Sequence, residues 1–153
     1  MDSERGRLIA ERLHAHDLEE DGTPRLEHIR RVAAMVPPEA RGVAWLHEAF
    51  GWTAVREHDL LMEGLSNEGL RALRLLQRTH DPRTERVFLA QLRLIALAAG
   101  RSGELARMVK IADLRDRCAH PRVRANGWCP PYEEGLELLL AESRARTARP
   151  IAR

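Results

Sequence analysis

Aromatic residues are scarce in this chain: three tryptophans, two phenylalanines and one tyrosine, 4% of 153 residues. β-branched residues are few as well, so the side chains that favour strands are largely missing. Cysteine is limited to Cys118 and Cys129, whose spacing fits neither a CxxC element nor a secreted disulfide scaffold. Both are expected to be reduced thiols without a zinc role. No apolar run approaches the roughly 20 residues of a membrane-spanning helix, and Met1-Asp2-Ser3-Glu4-Arg5 offers no apolar leader. A strong charge of one sign is lacking too. Twenty-five Lys and Arg against 23 Asp and Glu leave +2, far from the basic field of a nucleic-acid binder. The one basic cluster, Arg144, Arg146, Arg149 and Arg153, reads as a solvated tail. These absences point to a soluble, cytoplasmic protein that engages neither membrane nor nucleic acid.

What is present is helix-forming. Alanine, leucine, arginine and glutamate dominate, and 44% hydrophobic with 31% charged residues is a globular balance. The length suits one domain, residues 1–153, without repeat or linker. Apolar periodicity and Gly/Pro punctuation predict an all-α bundle of about seven to eight helices in orthogonal or antiparallel packing. The expected spans are 2–16, 24–35, 38–50, 54–63, 67–79, 83–99, 103–118 and 132–146, with a frayed tail over 147–153. Thr23 with Pro24 and Glu27 marks the second start, and Ser66 and Ser102 mark later ones. Gly51, Gly64 and Gly100 act as stops, and His80-Asp81-Pro82 and Asn126-Gly127 as turn signals.

Three polar residues interrupt apolar stripes. His28 lies four before Val32 at the edge of the second helix's buried face. His47 falls between Val43 and Phe50, and Asp113 follows Val109 by four. Two imidazoles and a carboxylate on the inner faces of three helices are the parts of a metal site in a bundle. Glu48, beside His47, adds an oxygen. Plainer readings stand alongside: a boundary histidine for His28, a satisfied core histidine for His47, and for Asp113 an ion pair with Lys110 or Arg117. Trp52 and Trp128, at helix ends, read as core plugs or as contact surface. The dipeptides His16-Asp17, His58-Asp59 and His80-Asp81 read as solvated.

Three blocks in the same order resemble the HD superfamily, in the branch of bacterial alarmone hydrolases. They are Gly22-Thr23-Pro24 through His28 to Val32-Ala33, Ala44-Trp45-Leu46-His47-Glu48, and Val109-Lys110-Ile111-Ala112-Asp113. The resemblance spans about residues 10–120. It implies a divalent metal, manganese by family, on His28, His47, Glu48 and Asp113, with Glu48 and Asp113 serving catalysis; iron, zinc or nickel would suit the same ligand types. Lys110, Arg117 and Arg25 are the candidates to hold phosphate, Arg25 being the one most like a surface salt bridge.

Departures from the pattern cluster at the catalytic motif. Glu48 stands where the family has aspartate, and Gly51 and Trp52 where it has the Glu-Asp pair that positions water. Arg25 replaces a tyrosine, Arg117 an asparagine, and Glu19-Glu20-Asp21 a basic residue. Two functions follow as expectations. One is a divergent HD-type metal protein hydrolysing a phosphate ester or anhydride, a nucleotide or another phosphorylated small molecule. The other is a catalytically inactive helical scaffold that binds a protein partner or a regulatory nucleotide. The apolar faces of the last two helices would also support a homodimer.

Overall fold

The computed structural model describes residues 1–77, 84–121 and 127–148. Within them the chain is a single all-α helical bundle: α1 (Ser3–Leu13), α2 (Arg25–Met35), α3 (Pro38–Leu46), α4 (Ala49–Trp52), α5 (Glu57–Met62), α6 (Asn67–Leu76), α7 (Glu85–Leu97), α8 (Gly100–Ala119) and α9 (Tyr132–Ala148). The one β-type pairing among the described residues is a bridge between Leu18 and Pro24. The signals at 80–82 and Asn126, and Arg149 and Arg153 of the tail, lie outside the described residues.

Several starts and stops differ from expectation for local reasons. Ser66 caps α6 as predicted, its hydroxyl accepting from Gly69 N–H at 3.0 Å. Thr23 does not cap α2; Pro24 occupies the N-cap, and Thr23 is held by Asp21 Oδ1 through both its N–H and its hydroxyl. Ser102 lies inside α8, because Gly100, with φ 68°, already turns the chain into that helix. Gly51 does not stop a helix but sits within the single turn of α4. The break comes earlier, after Leu46, where His47 N–H reaches back three residues to Ala44 O instead of four.

The first helix buries Gly6, Ile9 and Ala10, while Leu8 is 49% exposed. Packing decides this. A Cβ on Gly6 would stand 3.3 Å from Gly42 Cα, so α1 and α3 meet backbone to backbone along the glycine side. Helix α8 is the axis of the molecule, touching α2, α3, α6, α7 and α9. Leu105, Ala106, Val109, Ala112 and Leu114 anchor it in a core shared with Ile29, Val32, Val43, Leu46, Leu73 and Leu92. Burying side chains of this size contributes about 1.5–3 kcal/mol each. That packing fixes α2, the end of α3 and the middle of α8 against one another, and their polar residues meet inside.

Candidate metal centre

His28 on α2, His47 and Glu48 in the turn after α3, and Asp113 on α8 converge. Each presents one ligand atom, and the four atoms lie within 4.8 Å of one another. His28 Nε2 is 3.2 Å from His47 Nε2, 3.3 Å from Asp113 Oδ1 and 3.7 Å from Glu48 Oε1. His47 Nε2 is 3.8 Å from the same Glu48 oxygen. Ligands about 2.1 Å from a common ion stand roughly 3.4 Å apart in a tetrahedron, and about 3.0 or 4.2 Å apart in an octahedron. The four separations of 3.2–3.8 Å fall in this range, and the set as a whole, within 4.8 Å, would draw together to share a divalent cation. Two imidazole nitrogens and two carboxylate oxygens are the donor types that such an ion takes.

Every member is held from behind. His28 Nδ1 pairs with Asp116 Oδ2 at 2.7 Å, and Arg31 grips that carboxylate through Nε and Nη2 at 2.6 and 3.1 Å. His47 Nδ1–H donates to Ala44 O at 2.7 Å, which leaves Nε2 as the acceptor facing the cluster. Lys110 Nζ holds Asp113 Oδ2 at 2.6 Å, and Arg25 Nη1 lies 3.5 Å from Glu48 Oε2. Carboxylates and carbonyls that orient metal-binding imidazoles in this way are the usual outer shell of a metal site. Asp116 is the member of this arrangement that the sequence did not bring forward. Three after Asp113 it looks like one more polar position on a helix, yet it is 3% exposed.

The plainer readings fare unevenly. His28 is 1% exposed and bonds a carboxylate, so it is no boundary residue tied to a backbone carbonyl. Asp113 does pair with Lys110, and Arg117 Nε lies 3.7 Å from its Oδ1; the ion pairs and the convergence with the histidines coexist. Arg25 is not a surface residue. It is 3% exposed, with its guanidinium 3.8 Å from the centre of the Trp52 ring. Trp52 is no core plug: it is 46% exposed and covers Arg25, while Trp128 is half-buried.

The acidic stretch before α2 also has a structural role. Glu19 N–H donates to Thr23 O and Arg25 N–H to Asp17 O, closing a tight hairpin whose turn uses Gly22 at φ 84°. Glu20 and Asp21 are left in solvent, whereas Glu19 Oε1 turns in between Arg25 Nη1 at 3.4 Å and Arg117 Nη2 at 3.3 Å. Arg117 Nη2 is also 3.5 Å from Glu48 Oε1.

Elsewhere, His16 and His58 are exposed as expected, but Asp17 is not simply solvated, since it pairs with the buried His14 at 2.7 Å. Arg146 of the basic tail donates to Ala96 O at 2.9 Å and belongs to the fold. Cys118 and Cys129 are free thiols.

Protonation follows the geometry. Burial pushes the His47 imidazole down to about 4, with Glu48 and Asp113 opposing burial only in part, so it is neutral at pH 7 and its Nε2 lone pair is available. For His28 burial acts downward too, but the bonds to Asp113 and Asp116 outweigh it and raise the imidazole above its ordinary value. Asp113 is held well below the usual carboxylate range: Lys110 and His28 together overcome a burial effect that alone would raise it. Because His47 Nε2 can only accept, its 3.2 Å contact calls for a proton on His28 Nε2 in the metal-free cluster, where a cation would replace it. No helix among the described residues is long and apolar enough to cross a membrane. No protein-family model matches the chain, and no curated protein matches it.

Proposed function

We propose that this protein is a divergent HD-type metal protein that binds one divalent cation through His28, His47, Glu48 and Asp113 and hydrolyses a phosphate ester or anhydride. The observation that carries the reading is the convergence of four ligand atoms within 4.8 Å, in a buried setting where each ligand has its own orienting partner. A bound divalent ion supplies Lewis acidity and an activated water at neutral pH. Manganese is the metal that the family resemblance favours, while iron, zinc and nickel suit the donors equally.

The chain's own groups have distinct tasks. His28 and His47 present neutral nitrogens once the His28 proton has left. Glu48 and Asp113 each give one oxygen and keep the other on a cation, which fixes their orientation. Lys110 and Arg117 are the groups placed to hold phosphoryl oxygens by charge-assisted hydrogen bonds. Arg25 is committed to Glu48, Glu19 and the Trp52 ring, and acts by positioning Glu48.

Elemental analysis of protein purified without chelator, or after incubation with manganese, tests the reading, with His47→Ala as control. Near-stoichiometric metal lost in a folded His47→Ala variant is the expected result. A variant that retains as much metal as wild type, or a wild type that takes none, refutes it.

One observation favours a second reading. Arg25 and Arg117 both approach Glu48 at 3.5 Å, so the ligand replacing the family's aspartate is already neutralised from within. Gly51 and Trp52 also leave the water-positioning carboxylates without equivalents. On this reading the cluster is an ionic keystone of an inactive scaffold that binds a protein partner or a regulatory nucleotide. Metal-free protein that shows no phosphatase turnover on a nucleotide panel with added manganese is its expected behaviour.

A further inference from the structure

Asp113, Lys110 and Arg117 do more than crowd around the cluster. They form the polar wall of a cleft of about 170 Å³ between α6, α7, α8 and the start of α9. The rest of its lining is largely apolar, with Leu76 from α6 and Phe88, Leu92 and Ile95 from α7. Tyr132, at the head of α9, meets Phe88 edge to face with ring centroids 6.0 Å apart and stiffens one corner. Lys110 Nζ is bonded to Asp113 at 2.6 Å, and its side chain keeps 12% of its surface open. That bond uses one of the three ammonium donors and leaves two for a further anion.

Size and chemistry narrow the ligand. A cavity of about 150 Å³ lined by aliphatic and aromatic side chains accommodates one benzene ring, whereas drug-sized ligands need roughly 300 Å³ or more. A cleft with cations at its wall and a mostly hydrocarbon lining elsewhere, broken by Arg74, Gln77 and Gln91, suits an amphiphilic anion. We infer that the cleft receives the carbon part of a phosphate monoester no larger than a single ring, with the phosphoryl group against Lys110 and Arg117 beside the ligand cluster. This inference rests on the proposed metal-dependent reading of the same site and adds the substrate class to it.

Calorimetric titration of the full chain with phenylphosphonate and with methylphosphonate, manganese-loaded and chelated, tests it; metal content is measured on the same samples. Phenylphosphonate is expected to bind more tightly on the order of tenfold, from burial of the ring. Ile95→Phe fills the cleft from its lining and should erase that preference while metal content stays unchanged. Leu94→Glu serves if the buried substitution impairs folding, since Leu94 lines the cleft yet is 68% exposed. Equal affinity for the two probes in wild type, or a ring preference that survives both variants, overturns the cleft assignment and leaves the metal reading intact. A wild type that holds no metal but still prefers the ring defeats the metal reading and keeps the cleft.

Discussion

At the scale of single residues, the centre depends on groups that touch no ligand position themselves. Asp116 fixes the ring of His28 by taking its Nδ1, and Arg31 fixes Asp116. Asp116→Asn is expected to lower metal affinity by about 10–100-fold, the usual effect of losing an outer-shell carboxylate. Competition with a fluorescent chelator would measure it; an unchanged affinity would show that His28 needs no such support. Protonation gives a second handle. Unfolded, His47 takes its proton near 6.5, and folded only near 4. The unfolded state therefore binds more protons between these values, and stability falls as pH drops from 6.5 towards 4, by on the order of 3 kcal/mol. His28 has the opposite sign, its contribution being present below 6.5 and lost as pH rises through its raised value. Urea unfolding of chelated protein across this range should show the loss, and His47→Gln should remove the His47 part of it.

The helices themselves were largely legible, because leucine and alanine recur at helical spacing and glycines and prolines punctuate them. α8 shows where that legibility ends. It touches five other helices, yet charged residues lie all around it, so its short apolar set does not mark it as the central element. Asp113 stood out through the apolar set before it and through the motif around it. Asp116 did not, and neither did the pairing of Arg117 with Glu19, since those partners lie 88 and 98 residues away and nothing local marks such pairs. The α7–α8 junction was hidden for the same reason. Arg107, 9% exposed, turns back to the carbonyls of Ile95, Ala96 and Ala98, with Nη1 as close as 2.5 Å, and so closes the C-terminus of α7. Arg107→Ala strands these acceptors and should cost about 2–3 kcal/mol in chemical denaturation. A loss below half a kcal/mol would mean that water replaces the guanidinium without penalty.

For the molecule as a whole, the cluster joins segments far apart in sequence: α2, the α3–α4 turn and α8. An ion held there binds only the folded chain and must stabilise all of it. With free metal at 100 times the dissociation constant the gain is about 2.7 kcal/mol, or roughly 5–11 °C in Tm for a chain of this length. Chelator should therefore lower the melting temperature of wild type and leave that of His47→Ala unchanged. Equal melting curves with and without chelator would place the stability in the ion pairs alone. These pairs are themselves long-range, since Glu19 from the hairpin before α2 meets Arg117 near the end of α8.

The stack of Arg25 on Trp52 ties the charge state of the centre to light emission. Trp52 has a guanidinium over its ring and 46% of its surface in water, and that same guanidinium faces Glu48. Indole fluorescence is sensitive to nearby charge, so whatever engages Glu48 changes the field at this ring. Trp45, 7% exposed and hydrogen-bonded to Ser3, lies in a packed setting that such an event leaves alone. The protein thus carries a natural fluorophore beside Glu48, and it needs no label to signal what that residue is doing.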